Sequence, residues 1–329
     1  MIRTIAFLLA VFSFFSCERE STTVKPQIKY IQTPVLKKVD DNPLLRVNLL
    51  NENSTSLAAT SMVFQLTGTL SPEEIKTARV YYSGGDSLWN GKSVKELMME
   101  KENPGKRIAF ESQQQLLSGA NYLWFSVELK RSAALGQKLG VRCEKIKLSD
   151  QSVCVFPREM KVPVQLLGVA VRRHMDDNVH TYRIPGLTTT NEGTLLGVYD
   201  VRRNSSRDLQ GDIDIGVSRS TDGGNSWEPM RIALDKGEWG NLPEKFNGVS
   251  DACILVDRNS DKIFLAGLWM YGVINEEGVW QEGLTEESDA WNHQWRNKGS
   301  QPGFGVKQTS QFLIATSTDD GKTWSEPVN

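Results

Sequence analysis

A short motif, Ser-x-Asp-x-Gly-x-x-Trp, occurs in two copies and constrains the fold of this chain more than any other feature. The copies occupy residues 220–227 and 317–324, and we call each one an Asp box. Its residues suit a tight hairpin turn, because an Asp carboxylate accepts hydrogen bonds from turn amides and Gly adopts positive φ. The Trp is expected to cap the turn and start the next strand. Repeated hairpins of this kind predict the stacked blades of a β-propeller.

The Asp boxes are interpreted as structural turns rather than as catalytic sites. Each box provides the hydrogen-bonding groups that its own turn needs, which is sufficient reason for the Asp. The residues concerned are Ser220, Asp222, Gly224 and Trp227 in the first box and Ser317, Asp319, Gly321 and Trp324 in the second.

Short strands separated by turns surround the boxes. Residues 213–218, 263–269 and 311–316 are strand-like, and the first and last of these runs lead directly into an Asp box. With about 40–50 residues for each four-stranded blade, residues 164–329 are predicted to form about three blades.

The region before the propeller, residues 28–163, is predicted to be a β-sandwich. Residues 61–67 and 122–129 have strand composition, and only residues 93–102 have a weakly helical pattern. Strands at this spacing without long helical stretches favour two packed sheets. The predicted fold class is therefore all-β, with an N-terminal sandwich followed by part of a propeller.

Composition narrows the function classes. The chain has 38 basic and 40 acidic residues, so its charge gives no basis for nucleic-acid binding. Its 3 histidines show no metal-ligand spacing, and we expect no metal site. Cys143 and Cys154 are candidates for a disulfide that closes a hairpin loop, although three cysteines after the N-terminal segment are an odd number.

Residues 1–17 have the pattern of an export signal. Arg3 is followed by an apolar run that is too short to span a bilayer. The segment resembles a bacterial lipoprotein signal in which Cys17 becomes the lipidated first residue, although Phe14 and Phe15 are bulkier than usual. An ordinary secretory signal is the alternative. Both interpretations predict export, and the first predicts an outer-membrane lipoprotein, periplasmic or surface-facing, held only by its lipid anchor.

The tetrapeptide Tyr-Arg-Ile-Pro at residues 182–185, followed by the Asp boxes, resembles the start of the catalytic domain of exo-α-sialidases (neuraminidases), a six-bladed propeller. The resemblance covers residues 164–329. Residues 28–163 resemble the accessory domain that precedes this propeller in sialidases of gut Bacteroidetes. Carbohydrate binding and a spacer role are both open for that domain.

The resemblance implies a set of site residues. Arg183 corresponds to the first of three arginines that clamp the substrate carboxylate, and guanidinium suits this task because it binds carboxylates in a planar, bidentate manner. The charged stretch after residue 199 corresponds to an active-site loop. The general acid/base of the family corresponds to Asp208. Asp212 and Asp214 are its competitors, although Asp214 alternates with isoleucines as an ordinary strand residue does.

Further residues are candidate substrate contacts. Arg202 resembles the family arginine that reaches a sugar hydroxyl, and Asp251 resembles an acidic partner there, with a structural salt bridge equally open for both. Trp269 and Gln308 are weaker candidates, and packing between blades explains Trp269 equally well. Trp291 and Trp295 are also aromatic candidates for the pocket.

The reaction implied by the resemblance is hydrolysis of terminal α-linked sialic acids from glycoproteins, glycolipids and oligosaccharides, with retention and without a cofactor. Sialidases use a tyrosine nucleophile, which is an exception among glycosidases. In the family this tyrosine, its glutamate partner and two clamp arginines lie in later blades, and the chain ends at Asn329 before any of them. We therefore expect a fragment that is inactive, or nearly so, alone. A non-catalytic sugar-binding propeller and a trans-sialidase are the alternatives, and an acid/base residue argues against a pure binder.

Overall fold

The computed structural model describes residues 19–329 apart from residues 22, 53–55, 91–94, 158, 209–210, 271–272, 274, 276, 278–280 and 291–309. The described residues form β-strands and short 3₁₀ turns, which confirms the predicted all-β class. No helix in this part of the chain has the length and apolar character needed to cross a membrane. The chain divides into two compact units, Met1–Gly168 and Val169–Asn329.

The N-terminal unit consists of two sheets around one apolar core. Its described strands are β1 (Val24–Tyr30), β2 (Val35–Leu36), β3 (Asn42–Asn51), β4 (Leu57–Gly68), β5 (Ile75–Tyr82), β6 (Glu96–Glu102), β7 (Arg107–Leu116), β8 (Gly119–Leu129), β9 (Lys138–Leu148), β10 (Val153–Val155) and β11 (Gln165–Gly168). One sheet has the order β1-β3-β8-β5-β6. The other has the order β2-β11-β9-β4-β7, with β10 paired to β9.

Buried apolar side chains from both sheets form the contact between them. The predicted strands at residues 61–67 and 122–129 lie within β4 and β8, one in each sheet. Phe64 of β4 and Phe125 of β8 are fully buried, and their ring centroids are 4.6 Å apart. Aromatic rings at this distance contribute both apolar area and a specific packing geometry to the core of the sandwich.

The weak helical prediction for residues 93–102 is wrong where the structure describes the segment. Residues 96–102 form the edge strand β6, which pairs antiparallel with β5. Met98 and Met99 pack against the core of the sandwich, while the flanking glutamates and Lys101 are charged. Charged side chains are common on edge strands because they prevent pairing with another chain, and here they obscure the period of two.

The predicted disulfide does not form. Cys143, Cys154 and Cys253 are all free thiols. Cys154 on β10 pairs in register with Ile146 on β9, three positions from Cys143, so the two thiols are not cross-strand partners. Burial raises the pKa of Cys143 and raises that of Cys154 to about 12, so both behave as small apolar core residues.

The second unit contains two antiparallel sheets of the kind that forms propeller blades. Its described strands are β12 (Thr181–Thr189), β13 (Leu195–Arg202), β14 (Ile213–Ser220), β15 (Arg231–Leu234), β16 (Val249–Val256), β17 (Ile263–Met270) and β18 (Ser310–Ser317). The first sheet has the order β12-β13-β14-β15, and the second has the order β16-β17-β18. Each strand pairs with the next along the chain. The number of blades stays a prediction.

The two sheets pack against each other, with β16 next to β12, β13 and β14. Their shared core includes Ile215 from the first sheet and Leu265 from the second, both with no exposed surface. Gly267 on β17 allows the close approach, because a Cβ atom there would lie 2.7 Å from Val249 and 3.3 Å from Ile215. This packing fixes the ends of β12, β13 and β16 relative to one another.

The first Asp box forms the predicted hydrogen-bonded turn. The Asp222 carboxylate accepts hydrogen bonds from the Ser220 hydroxyl at 2.8 Å and from the amide and hydroxyl of Ser226 at 2.9 and 2.6 Å. The Ser220 hydroxyl in turn accepts the Gly224 amide at 2.9 Å. Trp227 does not start the next strand, because β15 begins only at Arg231.

The second Asp box repeats this geometry and is tied to the first sheet. The Asp319 carboxylate accepts hydrogen bonds from the Ser317 hydroxyl at 2.8 Å and from the amide and hydroxyl of Thr323 at 2.9 and 2.6 Å. Arg219, which immediately precedes the first box, donates to the Asp320 carboxylate at 2.7 Å. The two turns therefore hold the hairpins and join neighbouring sheets.

Candidate active site

The centre of the candidate site is a buried arginine at the end of β13. Asp200 and Arg202 are two residues apart on this strand, so their side chains leave the same face. Arg202 donates to the Asp200 carboxylate at 2.8 and 3.2 Å, to the Asp208 carboxylate at 2.7 Å and to the Ser206 carbonyl at 3.0 Å. One guanidinium therefore connects the strand to the loop that follows it.

Asp208 is the accessible carboxylate of this group. Its side chain is 46% exposed, whereas the Asp200 side chain has no exposed surface and the Arg202 side chain has 2%. The buried Arg202 guanidinium therefore orients the Asp208 carboxylate, and the exposed part of that carboxylate remains available to a ligand.

Asp251, on β16, brings a third carboxylate to the same place. The carboxylate oxygens of Asp200, Asp208 and Asp251 lie within 4.8 Å of one another. Burial raises the pKa of Asp200 to about 6 although Arg202 opposes the shift. Burial and the charge of Asp208 also raise the pKa of Asp251, again opposed by Arg202. Close like charges and desolvation both favour the protonated form.

Arg183 lies on β12 directly opposite Asp200 on β13. Cross-strand partners project from the same face of a sheet, and Arg183 is exposed where Asp200 is buried. The register shifts after Arg183, and Ile184 has a φ of 50°. A second shift in β16 includes Asp251, whose φ is 63°. Bulges re-aim side chains and are frequent next to active sites, and here one lies beside each candidate residue.

A second ionic cluster lies at the base of the loop between β13 and β14. Arg203 donates to Asp212 at 3.0 Å and makes a short hydrogen bond to Asp214. The carboxylate oxygens of Asp212, Asp214 and Glu244 lie within 4.8 Å of one another. Burial and the charge of Asp235 raise the pKa of Asp214 to about 8 although Arg203 opposes the shift.

A cleft of about 360 Å³ adjoins both clusters. Arg202, Arg203, Arg207 and Lys245 contribute basic groups to its lining, and Asp212 contributes an acidic one. A cleft with converging charged groups has the character of a site for a small polar ligand.

Comparisons with known proteins agree with this architecture. The family model for the N-terminal domain of BNR-repeat neuraminidase matches residues 22–152. A sialidase of Bacteroides fragilis (strain YCH46) is 36% identical over 327 residues, which cover 92% of this chain and 56% of that protein. The solved structure of Hadza microbial sialidase Hz136 has a TM-score of 0.75 and 32% identity, covering 92% of this chain and 59% of that one.

These comparisons support a Bacteroidetes-type sialidase with an N-terminal domain of this kind. The chain spans little more than half the length of the two relatives just described. A sialidase of Paraclostridium sordellii is 29% identical over 152 residues, or 46% of this chain.

The structure brings some of the predicted sialidase residues together and not others. Arg202 donates to Asp208, and the Asp251 carboxylate lies within 4.8 Å of that of Asp208. Arg183 lies on the adjacent strand, opposite Asp200. Trp269 is fully buried in the core, 5.0 Å from the ring of Trp239, so packing accounts for it. The candidates at residues 291, 295 and 308, and Cys17, lie outside the described residues.

Two residues of this candidate site were missed from the sequence. Asp200 shares the face of Arg202 on a buried strand, and this spacing of two was the available signal. Arg203 had no comparable signal, because its partners Asp212 and Asp214 come from the far side of the loop. Each carboxylate cluster contains a guanidinium. Asp200 accepts a hydrogen bond from Arg202, and Asp212 accepts one from Arg203.

Proposed function

We propose that the protein is an exo-α-sialidase that hydrolyses terminal α-linked sialic acids from glycoproteins, glycolipids and oligosaccharides with retention. The observation that carries the proposal is the accessible Asp208 carboxylate, held at 2.7 Å by the buried Arg202. Asp208 would protonate the leaving glycosidic oxygen and then activate water. The similarity of the chain to sialidases supports this reaction class.

Accessibility favours Asp208 over its competitors as the acid/base. The Asp214 side chain is 2% exposed and the Asp212 side chain 23%, and both accept hydrogen bonds from Arg203. A general acid must reach the leaving oxygen within hydrogen-bonding distance. Asp208, with 46% of its side chain exposed, meets this requirement better than either.

Arg183 supports the same proposal because its position suits a carboxylate clamp. It is exposed, it lies across from Asp200, and the bulge after it directs the chain away from the regular strand. Sialic acid carries its carboxylate on the reacting carbon, so an exposed guanidinium across the strand pair from Asp200 would bind and orient the sugar.

The test is turnover of a fluorogenic α-sialoside by the full-length gene product, with the methyl ester of the same sialoside as a matched substrate. We expect hydrolysis of the free acid and a loss of roughly tenfold to a hundredfold for the ester, which lacks the charge that Arg183 would bind. Equal rates on both substrates would contradict the clamp.

The alternatives give different outcomes in the same experiment. Binding of sialosides without turnover would favour a non-catalytic sugar-binding propeller. Transfer of the sugar to an added lactose acceptor, followed by product analysis, would identify a trans-sialidase.

We also propose that the protein is exported and anchored by lipid at Cys17. The sequence pattern of residues 1–17 supports this proposal. Metabolic labelling with palmitate should mark the wild-type protein but not the Cys17→Ser variant, and equal labelling would rule out this anchor.

A further inference from the structure

The loop that carries Asp208 is held by two consecutive arginines. It connects the end of β13 at Arg202 to the start of β14 at Ile213. Arg202 binds the outer part of the loop, through the Ser206 carbonyl and the Asp208 carboxylate. Arg203 binds the base of the loop, where the chain returns to the sheet.

The contacts of Arg203 reinforce the base of the loop next to the strand pair Arg202–Ile213. Its amide donates to the Asp212 carbonyl at 3.2 Å, and its side chain donates to the Asp212 carboxylate at 3.0 Å. The same guanidinium also binds Asp214, inside strand β14. The two ends of the loop are therefore joined by one backbone and two side-chain hydrogen bonds.

The surroundings of Arg203 show why another side chain would not easily replace its contacts with Asp212 and Asp214. Asp212, Asp214 and Glu244 crowd their carboxylates within 4.8 Å. The Arg203 side chain is 33% exposed and that of Asp214 only 2%, so the pair is shielded from water on the Asp214 side. A planar guanidinium serves two carboxylates at fixed angles, which an ammonium group does not.

We propose that Arg203 is a positioning residue for the acid/base, which fixes the location of Asp208 by closing the base of its loop. The inference rests on the proposed sialidase function and concerns a residue to which that function assigns no contact with the reacting atoms. Asp208 is bound to Arg202 from the strand side. A loop whose base lacks the two Arg203 side-chain contacts would keep the Asp208 carboxylate but hold it less precisely in position. Small displacements of a catalytic group reduce the rate steeply.

The experiment compares Arg203→Met and Arg203→Lys with wild type in the full-length gene product, using an α-sialoside. We expect kcat to fall roughly tenfold to a hundredfold in Arg203→Met with KM within about threefold of wild type. Arg203→Lys should recover part of kcat, because lysine retains the charge without the bidentate geometry. Asp212→Asn combined with Arg203→Met should cost little more than Arg203→Met alone, because both break the same contact.

Two matched controls separate positioning from general destabilisation. Arg219→Met removes another arginine that joins two carboxylates, those of Glu228 and Asp320, but at the Asp boxes. It should lower the melting temperature without lowering kcat per folded molecule. Arg231→Met, on an exposed ion pair with Glu228, should change neither quantity measurably.

Amide hydrogen exchange of residues 204–208 tests the inference independently of turnover. Arg203→Met should raise the exchange rates there about tenfold, because the loop base loses its two side-chain hydrogen bonds, and Arg231→Met should not. Unchanged exchange in Arg203→Met would overturn the inference. A rise in KM at constant kcat would also overturn it, since Arg203 would then bind substrate in the cleft. An inactive wild type with the expected exchange change would instead refute the proposed function and leave the loop closure established.

Discussion

The acidic residues of the Asp boxes and those of the candidate site show how surroundings assign opposite roles to the same side chain. In the boxes, Asp222 and Asp319 are acceptors for hydroxyl and amide donors within their own turns. In the site, Asp200 and Asp214 are buried next to arginines and other carboxylates. Local donors stabilise the charged form in the first case, and burial opposes it in the second.

The pKa values follow this difference. Hydrogen bonds from Ser226 and Ser220 lower the pKa of Asp222 to about 2. For Asp319, burial acts to raise the pKa, but hydrogen bonds from Thr323 and Ser317 outweigh it and lower the value to about 2. Burial instead raises the pKa of Asp200 to about 6 and, with the charge of Asp235, that of Asp214 to about 8. The two regions therefore shift the pKa of the same side chain in opposite directions.

The largest expected effect that tests this contrast is on turnover. Asp208→Asn should lower kcat/KM for an α-sialosyl lactoside by about 10²–10⁴-fold, because the leaving oxygen loses its proton donor. The loss should be smaller for an aryl sialoside, whose phenolate leaves without protonation. The matched variant Asp222→Asn in the first Asp box should turn over both substrates like wild type. Equal losses in the two variants would remove the distinction between the regions.

The architecture of the boxes could be predicted from sequence because each turn contains its own hydrogen-bonding partners. Ser220, Asp222 and Ser226 lie within seven residues, so composition alone specifies their contacts. The strands β4 and β8 were equally predictable, since their apolar runs match the period of a buried strand. Local information was sufficient in these cases.

The site could be predicted only in part, since its contacts are not local. Asp200 meets Arg183 through the pairing of β12 with β13, and it accepts the Ala252 amide at 3.4 Å from β16. The bulges that follow Arg183 and include Asp251 have no sequence signature as clear as an Asp box. Arg202 and Asp208 were found through family resemblance. The contacts of Arg203 with Asp212 and Asp214 could be found only from the structure, because they join opposite ends of the loop.

An intermediate effect is expected on the pH dependence of stability. In the folded protein Asp214 keeps its proton up to about pH 8, whereas in the unfolded chain it loses the proton near pH 3.8. The folded state therefore binds more protons in this window, and stability falls as the pH rises through it, by up to about 1.4 kcal/mol per pH unit. Asp200 contributes in the same direction up to about pH 6.

Asp214→Asn removes this titration and should flatten the decline. Urea unfolding at pH 5, 7 and 9 measures it, and the variant should gain stability relative to wild type between pH 5 and pH 9. Asp222→Asn is the control, because its site titrates in the acid range and should leave this slope unchanged. Parallel curves for wild type and Asp214→Asn would show that Asp214 ionises normally in the folded protein.

The smallest effect is expected in the boxes themselves. Asp222→Ala removes an acceptor of three hydrogen bonds and Asp319→Ala an acceptor of four, so each should lower the melting temperature by a few degrees at pH 7. Because the pKa of each Asp is lowered to about 2, its contribution is present above pH 3.8 and disappears as the pH falls towards 2. The difference from wild type should therefore shrink when melting is repeated at pH 3. A box variant that melts like wild type but loses turnover would move that carboxylate into the catalytic group and end the contrast between the two regions.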